Sequence, residues 1–292
     1  MLDLLPQFVF NGLLIGMSYA LVAIGMTMIF GIMNIANFAH GEFYMLGGCI
    51  TYFIAAKLNA PYLIAVPASV AVVTGLGFLL ERVVFRHLRF KSAMSSVLAT
   101  IGLGLILQNG ALIFFGPQPQ AIPTSFSAFP LQLGPIFTTQ ARLFAVAVTA
   151  ATLVSMYVFL NHTLYGTAMR ATFQDRDTAS LMGININLIY TATFALGSGL
   201  AAAAGALLGP VFVVTTTMGN LAALKAFSIV ILGGLGSIQG AMIGGFILAF
   251  AEELGSGYIS SGYRDAVGFI LIILVLMFRP TGLFRVRGER IG

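Results

Sequence analysis

The chain is almost continuously apolar, and its few charges fall between long uncharged runs. From Leu4 to Gly41 there is no Asp, Glu, Lys or Arg. Over the whole chain, 59% of residues are hydrophobic and 8% are charged. A soluble domain carries about 25% charged residues. A spanning helix needs roughly 20 apolar residues, and in lipid its backbone polar groups must be satisfied within the segment. The sequence therefore predicts an all-α, polytopic membrane protein with about 8–9 transmembrane helices.

Soluble function classes find little support. Cys49 is the single cysteine and lies in an apolar run, which excludes a disulfide within the chain. The net charge of +5 does not point to nucleic acid, because the basic residues fall where loops are expected. No Gly-x-x-x-x-Gly-Lys-Ser/Thr phosphate loop is present, so ATP is not bound by that route. There is no nucleophile–base constellation and no carboxylate pair at catalytic spacing in a polar site, which speaks against an intramembrane enzyme. Asp3 stands where a cleavable signal would be basic, so the first apolar run is expected to remain as a span.

The expected plan is one transmembrane domain over 1–292. A first repeat covers about 6–115, a linking span 140–160, a polar loop 161–188 and a second repeat about 189–279. Residues 116–139 hold five prolines and no charge, which reads as an exposed loop with extended segments. Placing the N-terminus outside puts ten Lys/Arg inside, four in 81–91, two in 161–188 and four in the tail. Four remain outside: Lys57, Arg142, Lys225 and Arg264. This positive-inside bias orients the chain, with its C-terminus cytoplasmic.

One polar stretch interrupts the apolar pattern. Asn34, Asn37, His40 and Glu42 are packed into nine residues, followed by Gly47 and Gly48. A lipid-facing helix cannot carry that load without partners. Shifting by 186 positions gives an echo, with Asn34, Gly47 and Gly48 matched by Asn220, Gly233 and Gly234. The two segments run in opposite directions across the membrane, the pattern of inverted repeats with Gly-interrupted half-helices lining a pathway. Glu42 is expected to face a cavity or to hold a broken helix; the plainer alternative is a partly solvated Glu at the inner interface. Asn34, Asn37 and His40 are expected to cap and join half-helices. His40 has no ligand cluster around it and is not expected to bind metal. Lys225 either snorkels to the outer interface or faces the pathway. Glu252 and Glu253 are expected to face the outer surface or a partner.

The 161–188 loop contains Asp177-Thr-Ala-Ser-Leu-Met-Gly183. It reads as a short helix stopped by Gly183 that presents Arg170, Asp175, Arg176 and Asp177 to a partner. The stretch resembles the first part of the cytoplasmic loop signature of ABC-importer permeases.

The resemblance extends along the chain. Asn37-Phe-Ala-His-Gly-Glu-Phe-Tyr-Met-Leu-Gly47, Glu81-Arg-Val, Ala168-Met-Arg-Ala-Thr with Gln174-Asp-Arg, Leu181-Met-Gly-Ile-Asn185, Leu232-Gly-Gly-Leu-Gly-Ser-Ile-Gln-Gly-Ala241 and Phe278-Arg-Pro-Thr-Gly-Leu-Phe284 carry it. Together they resemble the Liv-type (H subunit) permeases of branched-chain amino-acid ABC transporters. That likeness implies a bacterial inner-membrane permease paired as a heterodimer with an M-type permease. It also implies two ATP-binding subunits that hold ATP and Mg, a periplasmic binding protein, and a coupling role for 165–185. No cofactor is expected on this chain. Similar permeases carry urea or short amides, and an ion-coupled secondary transporter is a further alternative.

Overall fold

The computed structural model describes residues 4–88, 92–124, 126, 131–258 and 260–284. In chain order the helices are α1 (Leu5–Met33), α2 (His40–Tyr52), α3 (Tyr62–Leu80), α4 (Arg86–Leu88) and α5 (Ala93–Phe115). A small antiparallel hairpin, β1 (Leu131–Leu133) and β2 (Ile136–Thr138), precedes α6 (Gln140–His162). Then follow α7 (Leu164–Gln174), α8 (Arg176–Leu181), α9 (Ile186–Leu208), α10 (Met218–Gly233), α11 (Ile238–Tyr258) and α12 (Arg264–Phe278). Among the described residues, seven helices are long and apolar enough to cross a membrane, and α10 is a shorter apolar helix.

Local chemistry sets the ends. Ser92, Thr139 and Asn185 cap α5, α6 and α9, each side chain accepting a backbone N–H of the first turn. Pro sits in the first turn of α1, where its missing N–H leaves no helix bond unmade. In the Pro-rich segment the hairpin supplies the extended structure that the prolines predict.

The chain between 81 and 88 differs from the loop expected there. It has no Gly or Pro to end α3, and continues through a π turn (Glu81–Phe85) into α4. Arg89 and Lys91 of that basic segment, and the tail beyond Phe284, lie outside the described residues.

α1 and α9 form the centre, packing on each other and on α11, α2 and α3. Their apolar windows are 78% and 89% buried, against 17% for Met94–Phe115 and 11% for Ser261–Phe278. The core therefore sits at α1 and α9, while α5 and α12 turn most of their apolar surface outward. The small residues of α1 serve this packing. Gly12 and Gly16 meet Phe250 and Phe246 of α11, and Gly25 meets Gly197 of α9. Small contact residues are how helices associate where lipid removes the hydrophobic drive.

Candidate functional site

Sixteen residues of α-helix rise about 24 Å, so α10 falls short of the roughly 30 Å hydrocarbon core, while α2 continues through a π turn (Phe53–Lys57). α1 ends at Asn34, which adopts a left-handed conformation (φ 53°) and donates its N–H to the Phe30 carbonyl. Asn37 then turns the chain, its Oδ1 accepting the Ala39 N–H at 3.1 Å. His40 opens α2, and its Nε2 lies 3.0 Å from the Val22 carbonyl oxygen. The nitrogen bonded to a carbonyl must carry the proton, which fixes the tautomer. Val22 lies eleven residues before the end of α1, about 16 Å along its axis. Residues 34–39 therefore turn back beside α1, and α2 starts inside the bundle.

At that depth α2 meets the start of α10. A Cβ on Gly41 would overlap the carbonyl oxygen of Gly219, so only glycine permits this crossing. A Cβ on Gly219 would in turn lie 2.6 Å from Glu42 Oε2. Glu42 is buried, and its Oε2 has no hydrogen-bond partner among the described residues. With Asn220, Phe38 and Gln108 it lines a groove of about 300 Å³ between α2, α5 and α10. Glu42 and Asn220, distant in sequence, thus come together.

The opposite face of α10 lines a second hollow, about 310 Å³, against α1 and α12. Lys225 reaches into its wall. Its Nζ lies 2.8 Å from Glu252 Oε2 and 2.9 Å from Asp265 Oδ1, and donates to the Tyr19 hydroxyl at 2.7 Å. Tyr19 in turn donates to Glu252 at 2.9 Å. Arg264 donates to Glu253, and its Nε lies 3.7 Å from Glu252. The expectation that Glu252 and Glu253 face the outer surface or a partner is thus corrected: they are 1% and 7% exposed, paired with basic residues of α10 and α12. Nor does Lys225 snorkel, since three acceptors hold it in place. Tyr19, Arg264 and Asp265 were not singled out from the sequence. Their signal was the presence of opposite charges within neighbouring apolar spans, which must pair to be tolerated there.

The matched glycines do not occupy equivalent places. Gly47 is in mid-α2 against Ala202 of α9, and Gly48 faces Met218 and Val214. Gly233 closes α10 against Gly240, and Gly234 is its C-cap at φ 104°. Glycine and alanine are common throughout these helices, and a shift of 186 aligned them by composition. The crossing glycines are Gly41 and Gly219.

At the other end, Thr163 caps α7, accepting the Gly166 N–H at 3.0 Å. Asp175 caps α8, its Oδ1 accepting from Asp177 and Thr178 at 2.9 and 3.0 Å. The Thr178 hydroxyl and these N–H groups hold the Asp175 carboxyl below its usual range. Arg176 lies 3.4 Å from Asp177 and also bonds Tyr190, which raises the guanidinium further. Gly183, at φ 85°, ends the short helix as the sequence predicts. Arg170 donates to Thr167, and with Phe173 lies against Gly31 and Gly236. Leu164, Tyr165, Leu181 and Met182 stand exposed beside these polar groups. Among the described residues no cluster of three or more metal-binding side chains exists.

Seven long apolar helices among the described residues, with hollows between them that hold a few polar side chains, define a polytopic helical membrane protein. The chain belongs to the family described as branched-chain amino acid transport system / permease component, whose profile matches residues 8–276. It is 37% identical to the high-affinity branched-chain amino acid transport system permease protein LivH of Escherichia coli K12, over 95% of this chain and 94% of that one. It is 38% identical to the corresponding BraD of Pseudomonas aeruginosa, over 94% and 93%. A probable LivH of Methanocaldococcus jannaschii is 28% identical over 90% and 87%. In fold it is similar to PsaBC from Streptococcus pneumoniae in complex with Fab, with a TM-score of 0.50 and 14% identity over 99% and 96% of the two chains.

Proposed function

We propose that the chain is the membrane-embedded permease subunit of an ATP-driven importer, and that it passes branched-chain or other neutral amino acids. The observation that carries this reading is family membership along nearly the whole chain, joined to a pathway-like groove. ATP and Mg belong to two partner subunits on the cytoplasmic side. A second, M-type permease and a periplasmic binding protein complete the assembly.

The N-terminus lies outside and the C-terminus inside. Two of the four outer cations, Lys225 and Arg264, are already paired within the bundle, so the exposed charge is more strongly biased inward than the bare count. Four helices (α1, α2, α3, α5), one linking helix (α6) and four more (α9, α10, α11, α12) support the inverted repeat. The pairing is reciprocal: α1 packs on α11 as α9 packs on α3, and α2 on α3 as α10 on α11. Substrate moves along the groove between α2, α5 and α10, with Asn34, Asn37 and His40 holding α2 and with Glu42 and Asn220 at the wall. Gly47, Gly48, Gly233 and Gly234 keep α2 and α10 close to their neighbours. The second permease covers the outward apolar surface of α5 and α12, which is the least buried of the spans.

α7 and α8 couple this bundle to the ATPases through Arg170, Asp175, Arg176, Asp177 and Gly183. Exposed Leu181 and Met182 beside charged groups suit a protein groove better than solvent. Affinity purification from membranes tests the assembly. ATP-binding subunits and a second permease are expected to co-purify, and charge reversal of Arg170 and Arg176 is expected to lower ATPase stimulation with assembly retained. Isolation as a lone chain that transports in liposomes would favour an ion-coupled carrier.

A further inference from the structure

We propose that the groove between α2, α5 and α10 is a binding site for an organic monocation, an amine with an apolar body and no acid group. The proposal goes beyond the permease reading and stands on the groove alone. Glu42 supplies the charge. It is 4% exposed, and its Oε2 has no hydrogen-bond partner among the described residues. No basic side chain among them forms an ion pair with it. Among the described residues that line the groove there is no Lys, Arg or His. A carboxylate within a membrane bundle calls for a partner of opposite charge, and here the protein leaves that partner to a ligand.

Three helices bring acceptors to the same wall. Glu42 reaches α10 at Gly219, where a Cβ would lie 2.6 Å from its Oε2, and Asn220 is the next residue. Its Cγ also lies 3.9 Å from a Cβ placed on Gly104 of α5. Gln108 stands one turn further along α5, about 6 Å on. Glu42, Asn220 and Gln108 all line the groove. A primary ammonium has three donors, and a carboxylate with two carboxamide oxygens can take all of them.

The rest of the lining selects the kind of cation. Phe38 and Phe227 stack with ring centroids 4.5 Å apart, and Phe38 is 40% exposed. Aromatic faces attract a cation within about 6 Å. Ile101, Leu105 and Leu224 add an aliphatic wall. A volume of about 300 Å³ is more than a bare alkali ion fills and is at the small end of ligand sites. An organic acid would be repelled by Glu42. A zwitterion would bring a carboxylate that no basic residue of the groove answers. A branched aliphatic amine satisfies the charge and the apolar wall together.

The test uses the complete transporter in nanodiscs, without ATP. Binding of radiolabelled 3-methylbutylamine is measured, and empty nanodiscs correct for partition into lipid. Saturable binding is expected. Glu42→Gln is expected to weaken it by roughly thirtyfold or more, as for the loss of one partner of a buried charge pair, and Glu42→Asp to restore part of it. Phe38→Leu is expected to weaken it roughly fivefold. Leu105→Trp, at an exposed position of the wall, narrows the groove with every charge in place and is also expected to weaken binding. L-Leucine is expected to displace the amine only at roughly tenfold higher concentration, and 3-methylbutan-1-ol and 4-methylpentanoate not at all. Equal binding by the wild type and Glu42→Gln at matched subunit content would overturn the site. Displacement by 3-methylbutan-1-ol as effective as by unlabelled amine would overturn its cationic character. Tighter binding of L-leucine than of the amine would overturn the exclusion of acid-bearing ligands. Saturable, Glu42-dependent amine binding in a preparation without ATP-driven leucine uptake would uphold the site and count against the permease reading alone.

Discussion

Lys225 carries a charge into a wall where two carboxylates and a phenol meet it, and none of these partners is its neighbour in sequence. Removing one member of such a buried set leaves the others uncompensated. Lys225→Met is therefore expected to destabilise the chain by about 3–5 kcal/mol, read as thermal unfolding in detergent. Lys225→Met combined with Glu252→Leu is expected to cost less than the two single changes added together; simple additivity would show that they do not act as a pair. Glu42 makes a different case, since its Oε2 has no partner to lose among the described residues. Glu42→Gln keeps the shape against Gly219 and is expected to preserve assembly while slowing uptake several-fold. Wild-type uptake would make Glu42 structural. Glu42, Asn220 and Lys225 were legible as odd polar residues in apolar spans. Their partners were not, because pairing across helices depends on which faces meet.

α2 and α10 owe their positions to a crossing at Gly41 and Gly219, where backbone touches backbone. A side chain at either place must push the helices apart. Gly41→Leu is expected to lower the yield of folded protein and shift thermal unfolding downward, by the 1–3 kcal/mol typical of overpacking. Gly75→Leu, with open space around its Cβ position, is the control and should change little. The span expected at 140–160 coincides with α6, because apolar length is a local signal. The start of α2 could be read as a polar interruption but not as a turn beside Val22, since that requires knowing the depth at which the chain re-enters. The echo at 186 falls on α2 and α10, but its matched glycines sit at different places in the two helices. Small residues recur wherever helices pack closely, so identity among them carries little positional information.

Across the whole molecule, two buried helices hold the core while α5 and α12 leave broad apolar faces outward. A lone bundle in lipid tolerates such faces, but a permease that works with a second chain needs them. α7 packs on α6 and α9, and both α7 and α8 have capped starts and exposed apolar side chains. We propose that this chain moves neutral amino acids only when coupled to ATPases. Uptake of radiolabelled leucine into proteoliposomes holding the chain, its partner permease and the ATP-binding subunits, with the binding protein supplied outside, tests it directly. Accumulation is expected to require ATP within the lumen and to stop when the ATP-binding subunits are omitted. Leucine accumulation by the chain alone, driven by an ion gradient without ATP, would contradict it.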